Sequence, residues 1–195
     1  MPTAPFLNPG RDDAAVLGRA KGGGTTYYGV PGTAGSSTTS STAADTDYYF
    51  PWWTPTPIVI DQLACAVTTV NSGTVARIGL YRADRDWQPT GAPLADSGDL
   101  TTSGTGTKTY TPASPLYLPR GRYLSVLNSD TGTTVFTVMF GTLAGVSSTI
   151  SSGVISRLAV ARAYAAFPTP GTAWDTVITG NGPNNHMVFF RVTAP

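Results

Sequence analysis

The chain contains no glutamate, only two lysines (Lys21 and Lys108), one histidine (His186) and one cysteine (Cys65) among its 195 residues. Charged residues make up 12%, about half the usual share of a soluble globular domain. Glutamate and lysine furnish the solvent-facing sides of most helices, so their scarcity argues against a helical fold. A lone cysteine excludes an intramolecular disulfide, and no group of cysteines and histidines has metal-ligand spacing. No metal or other cofactor is expected. Twelve basic residues against eleven acidic ones leave a net charge of +1, and no segment concentrates the basic ones, so a nucleic-acid partner is not expected. The longest apolar stretch, Leu158 to Phe167, is too short to cross a bilayer and carries Arg162, so no membrane insertion is expected. Pro2, Pro5, Pro9 and Gly10 interrupt the start of the chain, which does not read as a secretory signal. Synthesis in a cytoplasm is the expectation.

What is present points to strands. Hydrophobic residues make up 41%, enough for one core, and glycine (22) and proline (16) punctuate a sequence in which serine and threonine account for about a quarter of all residues. Threonine, valine and tyrosine favour strands, so the expected class is all-β.

Residues 1–46 differ in texture from the rest. Gly22-Gly23-Gly24 and the run Gly35 to Ser41 cannot bury a core, and this stretch reads as an extended N-terminal arm. Its apolar patches, Val16 and Leu17 in Asp12 to Arg19 and Tyr27 and Tyr28 in Tyr27 to Val30, tilt the choice between a disordered tail and an anchor toward an anchor ordering on a neighbour. Residues 47–195 form the body. Here Ile58 and Ile60 share one face, and Leu63, Cys65 and Val67 share a face offset by one residue, which requires a bulge near Asp61-Gln62. Asn71-Ser72-Gly73 is a turn signal, and Thr74 to Arg82 alternates Ala76, Ile78 and Leu80 inward with Val75, Arg77, Gly79 and Tyr81 outward. The two strands read as a half-buried antiparallel hairpin, in which Gly79 leaves room for a neighbouring ring or backbone on the outer face. A long polar excursion from Ala83 to Asp99 follows. Strands are expected again at Thr107–Thr111, Leu116–Leu118, Arg122–Leu127, Thr133–Phe140 and Met187–Val192, with Gly141 to Gly153 as a loop and Ile155 to Phe167 as strand or short helix. Such a succession favours a two-sheet antiparallel sandwich, most simply jelly-roll-like.

Three segments, Asp47-Tyr48-Tyr49-Phe50-Pro51-Trp52, Ile60-Asp61-Gln62-Leu63 and Val75-Ala76-Arg77-Ile78-Gly79-Leu80-Tyr81-Arg82, come in an order that resembles a β-sandwich domain of virion proteins. The pattern continues through Pro89-Thr90-Gly91-Ala92-Pro93-Leu94-Ala95-Asp96-Ser97-Gly98 and ends with Leu118-Pro119-Arg120-Gly121-Arg122-Tyr123-Leu124. Such domains occur in tail fibres, receptor-binding proteins and head fibres of tailed bacteriophages and in gene transfer agents. The resemblance covers roughly residues 45–195 and implies a virion protein assembled in a host cytoplasm. It also implies that the arm binds other virion proteins (capsid, portal or tail) and that the body forms a homo-oligomer, a trimer being favoured.

No catalytic set is legible. His186 stands at the start of the last strand without an identifiable Ser-His-Asp arrangement, and it reads as a strand-end residue. Asp84 and Asp86 alternate in a loop, but Arg82 and Arg85 flank them and are expected to hold both ionised, which does not suit an acid/base pair. Asp96, Asp99 and Asp130 lack the spacing of a calcium loop. The expectation is a non-enzymatic protein. Binding has better material: saccharides are recognised by flat aromatic rings with polar groups at their rim. Asp84-Arg85-Asp86-Trp87 offers those parts on one loop, and Trp174-Asp175, with Asn181, Asn184 and Asn185 nearby, offers them again. Taken singly, Trp87 and Trp174 read first as plugs at the ends of the core and second as sugar contacts, and Trp52 and Trp53 read as packing between arm and body. The expected work is adhesion to a host-surface glycan. The alternatives are a purely structural capsid decoration or connector and a stand-alone carbohydrate-binding module.

Overall fold

A computed structural model of the chain describes residues 37–54, 56–140, 158–169, 185–186 and 188–193, and every regular element among them is a strand. In order these are β1 (Ser37–Ser41), β2 (Thr46–Thr54), β3 (Ile58–Thr69), β4 (Val75–Ala83), β5 (Pro89–Asp96), β6 (Leu100–Thr101) and β7 (Gly106–Tyr110). Then come β8 (Leu116–Leu118), β9 (Gly121–Ser129), β10 (Val135–Phe140), β11 (Leu158–Ala161), β12 (Asn185–His186) and β13 (Phe189–Thr193). They build two antiparallel sheets packed face to face, a β-sandwich, as the composition and turn signals led us to expect. One sheet runs β1-β10-β3-β13, with β12 on β10 and both β7 and β8 on β3; the other runs β11-β2-β9-β4-β5, with β6 on β4. The chain passes from sheet to sheet at β2-β3-β4 and again at β8-β9-β10-β11, the jelly-roll-like alternation, while β4-β5 and β7-β8 stay within one sheet.

The register of β3 explains its split hydrophobic pattern. Ile60 pairs with Val192 and Gln62 with Arg191, so Asp61 is the extra residue of a bulge. That one-residue offset lets Ile58 and Ile60 before it, and Leu63, Cys65 and Val67 after it, all face the same core. Asp61 then turns outward to accept two hydrogen bonds from Arg191, each 2.8 Å. At the centre of the core Trp52 is fully buried, stacked on Phe190 at 4.8 Å between ring centroids and close to Tyr123 at 5.0 Å. Its indole N–H donates to Ser125 Oγ at 3.0 Å, which satisfies the one polar atom that burial would otherwise orphan.

Four readings of the sequence need correction. β3 and β4 are not a hairpin: they lie in different sheets, because β3 already has strands along both sides and the apolar face of β4 opposes it across the core. A turn signal reports that the chain reverses, not which sheet receives the next strand. The excursion after β4 is not one long loop either. It is a tight turn at Asp84–Gln88 followed by β5, which pairs with β4 at Arg82↔Thr90 and Gly79↔Asp96 around an irregular middle rich in proline and glycine. The arm is shorter than its composition suggested: Ser37–Ser41 pairs with β10 as an edge strand, a place where backbone hydrogen bonds suffice and no core side chain is needed.

The fourth correction concerns the outer face of β4, which is not solvated. Tyr81 and Gly79 are buried there with Tyr49, Leu124 and Val126 under the segment Arg162–Thr169, which follows β11 and lays Phe167 across the sheet. Gly79 leaves the space for this: a Cβ there would stand 2.8 Å from two ring carbons of Phe167 and 2.7 Å from the carbonyl oxygen of Ala95. The expected role of Gly79, admitting a ring or backbone on the outer face, is what the structure shows. Gly141 to Gly153 and the first three residues of the Ile155 to Phe167 segment, before Leu158, lie outside the described residues.

Candidate binding cleft

The covering segment ends before the sheet does. Beyond Phe167 the same outer face continues as a row of paired residues, Trp53 on β2, Arg122 on β9 and Ala83 on β4. Two turns border this row, Asp84–Gln88 between β4 and β5 and Pro119–Gly121 between β8 and β9. Together they enclose an open cleft of about 770 Å³ lined by Trp53, Trp87, Asp84 and the three arginines Arg85, Arg120 and Arg122, with Ala83 and Gly121 in its floor and wall.

Each wall has a local cause. In the Asp84–Gln88 turn the Asp84 carboxylate accepts N–H bonds from Asp86 (2.8 Å) and Gln88 (2.9 Å), while the Asp84 N–H donates to the Gln88 carbonyl (3.0 Å). This side-chain-closed turn forces Trp87 into the left-handed region, φ 61°. A bulky residue there costs on the order of 1–2 kcal/mol where glycine would cost nothing, so the ring is held at the cleft against a local penalty. Trp87 is half-buried: it packs against the outer cluster of Tyr49, Tyr81 and Leu124, and the Arg122 guanidinium lies 5.6 Å from its ring centroid as a cation–π partner. Trp53 is 42% exposed, one of three large hydrophobic side chains so exposed among the described residues. Inward-facing Trp52 and outward-facing Trp53 illustrate how strand alternation gives two adjacent identical residues opposite work.

The charges of the cleft are unbalanced. Arg85 pairs with Asp86 at 3.4 Å, but both side chains are largely exposed, so the pair is weak. Arg120 and Arg122 are in no ion pair among the described residues. The Asp84 oxygen that closes the turn is already engaged.

Of the expected binding residues, the structure brings Asp84, Arg85 and Trp87 to one cleft, while Asp86 stands at its edge as the partner of Arg85. Trp174 and Asp175, and the arm residues Val16, Leu17, Tyr27 and Tyr28, lie outside the described residues. Sequence reasoning missed Trp53, Arg120 and Arg122. The signal for Arg122 was its place just after the Pro119-Arg120-Gly121 turn; pairing across β2, β9 and β4 then supplied the rest, and pairing cannot be read from spacing.

The other acidic residues considered as ligands are bound to the protein itself. Asp96 holds Arg77 through both oxygens at 3.0 and 3.1 Å, Asp99 accepts from Arg77 at 2.8 Å, and Asp130 accepts the Val75 N–H at 3.1 Å. The hydrogen bond from Arg77 holds the Asp99 carboxyl below the usual range. Among the described residues no three acidic, histidine or cysteine side chains gather to hold a metal. His186 sits in β12, paired with Met139 of β10. Comparison of the chain with family models, with curated proteins and with solved structures finds no match.

Proposed function

We propose that this chain is a structural protein of a phage or phage-like particle. In this reading residues before β1 anchor it to other virion proteins, and the sandwich, as a homo-oligomer, presents the cleft of Trp53 and Trp87 to a host-surface glycan. The observation that carries the adhesion reading is the cleft itself: two indole rings and a rim of guanidinium donors on a rigid sheet, at the end of the sandwich that the covering segment leaves open. Indole faces match the apolar faces of pyranose rings, and the strained φ of Trp87 is the kind of local cost that persists at recognition sites. The virion reading rests on the order of the sequence segments named above. A purely structural decoration would have no use for an exposed tryptophan beside unpaired arginines.

Three measurements test the proposal. Immunogold labelling of purified particles is expected to decorate them, and particles that carry none of the protein overturn the virion assignment. A truncation lacking residues 1–36, which keeps β1, is expected to fold but to stay off particles. Adsorption of the purified protein to host cells is expected to fall about tenfold or more on Trp53→Ala; unchanged adsorption overturns the adhesion role of the cleft.

A further inference from the structure

Resting on the reading of the cleft as a saccharide site, we infer that its ligand is an anionic saccharide, a sugar carrying a carboxylate or phosphate substituent seated between Arg120 and Arg122. Side-chain donors outnumber acceptors in the cleft. Guanidinium groups donate only, and three of them line the cleft. A neutral sugar presents hydroxyls that both donate and accept, and sites for such sugars need carboxylates or amides to receive the donated protons. The cleft has one carboxylate, Asp84, and its Oδ1 is already occupied by two backbone N–H groups of its own turn. A ligand with surplus acceptors and few donors fits this wall.

Position strengthens the count. The Arg122 guanidinium lies over the Trp87 ring, 5.6 Å from its centroid, which fixes it in the cleft beside its cross-strand neighbour Trp53, and a sugar stacked on the exposed Trp53 indole meets it there. Arg120 projects from the adjoining turn with no acidic partner among the described residues. The planar fork of arginine binds carboxylate or phosphate through two parallel hydrogen bonds, which a hydroxyl cannot reproduce. A nucleic acid would also engage indoles and arginines, but it needs a basic groove that follows several phosphates, and this chain has a net charge of only +1.

The test uses the full-length protein on an array of bacterial polysaccharide fragments. Uronate-bearing and phosphate-bearing members are printed beside their carboxyl-reduced or dephosphorylated counterparts, with a thymidine oligonucleotide as a further probe. The expected result is binding to charged members at least about tenfold above their neutral counterparts, with that preference abolished in Arg120→Gln/Arg122→Gln and the Trp53→Ala variant binding neither. Preference for uronate or for phosphate members identifies which anion is read, and either supports the inference. Equal binding of charged and neutral members overturns the anionic preference while leaving the saccharide site standing. No binding to any saccharide overturns both readings, and binding to the oligonucleotide as tight as to the best saccharide also overturns the inference.

Discussion

Asp47, whose side chain is 1% exposed, is clamped by the guanidinium of Arg162, a residue 115 positions further along the chain. Nη2 donates to Oδ1 at 2.8 Å and Nε donates to Oδ2, while Asn128 Nδ2 adds a bond to Oδ1 at 2.6 Å and the Tyr49 hydroxyl one to Oδ2 at 3.3 Å. The same guanidinium donates to the carbonyl of Ala166 at 3.2 Å. One buried carboxylate therefore fastens the covering segment to the outer face of the sheet. Everything beneath that segment, Tyr49, Tyr81, Leu124 and Val126, is buried because of it, and the cleft begins where it ends.

Removing one partner of such a pair leaves the other charge without compensation in a largely closed site. Asp47→Ala is expected to lower stability by about 3–5 kcal/mol, read from urea unfolding. A loss under about 1 kcal/mol would show that the covering segment stays in place without the clamp.

Gly79 is expected to tolerate no side chain. Gly79→Ala puts a Cβ within 2.8 Å of the Phe167 ring and 2.7 Å of the Ala95 carbonyl, and the expected loss is about 1–3 kcal/mol. Phe167→Ala removes a large buried ring and should cost about 3–5 kcal/mol. The double variant should lose less than the sum, because the ring clash has gone while the backbone clash remains. Strict additivity of the two changes would mean that Phe167 does not rest on Gly79.

The contrast between what the sequence disclosed and what it hid is visible at these positions. The bulge at Asp61, the inward set Ala76, Ile78 and Leu80, and the need for room above Gly79 all follow from period-two alternation and from the size of one residue, which are local properties. Assigning β3 and β4 to different sheets, and recognising β5 inside the polar excursion, required knowing which strands pair. Pairing depends on residues far apart in the chain. The same limit governed the site. Asp84, Arg85 and Trp87 are adjacent in sequence and could be found together, whereas Trp53 and Arg122 meet only because β2 lies beside β9. Trp52 and Trp53 read in the sequence as packing between arm and body, yet Trp52 stacks on Phe190 at the centre of the core and Trp53 stands exposed on the outer face.

Alkaline pH should unfold the outer layer. Burial, with the neighbouring Asp47 charge second, pushes the phenols of Tyr49 and Tyr81 well above their usual value of 10.0, and burial raises that of Tyr164 to about 12. The Tyr81 hydroxyl must keep its proton to donate to the Pro168 carbonyl at 2.7 Å. In the unfolded chain these phenols ionise near pH 10, so their contribution is complete below that pH and declines as pH rises toward 12 and beyond. Unfolding midpoints measured between pH 8 and pH 11.5 should be level at first and then fall, more steeply than in a Tyr49→Phe/Tyr81→Phe variant. Midpoints unchanged at pH 11.5, or a fall equally steep in that variant, would contradict this account.

Trp87 allows stability and recognition to be separated at one residue. Its ring is half-buried against the outer cluster, so Trp87→Ala is expected to cost about 1–3 kcal/mol of stability, less than a fully buried tryptophan would. Trp87→Gly removes one more carbon but relieves the φ of 61°, a conformation glycine adopts freely. Glycine should therefore be at least as stable as alanine at this position, reversing the usual order of the two in a strand or a helix. Binding should respond differently: both variants remove one indole wall of the cleft and leave Arg122 without its support, so both should weaken saccharide binding by about tenfold or more. Thermal unfolding and saccharide titration of the same two proteins decide the matter. If alanine proves the more stable of the two, the strain attributed to the turn is absent; if both are destabilised but bind as well as the parent, Trp87 supports the fold and takes no part in recognition.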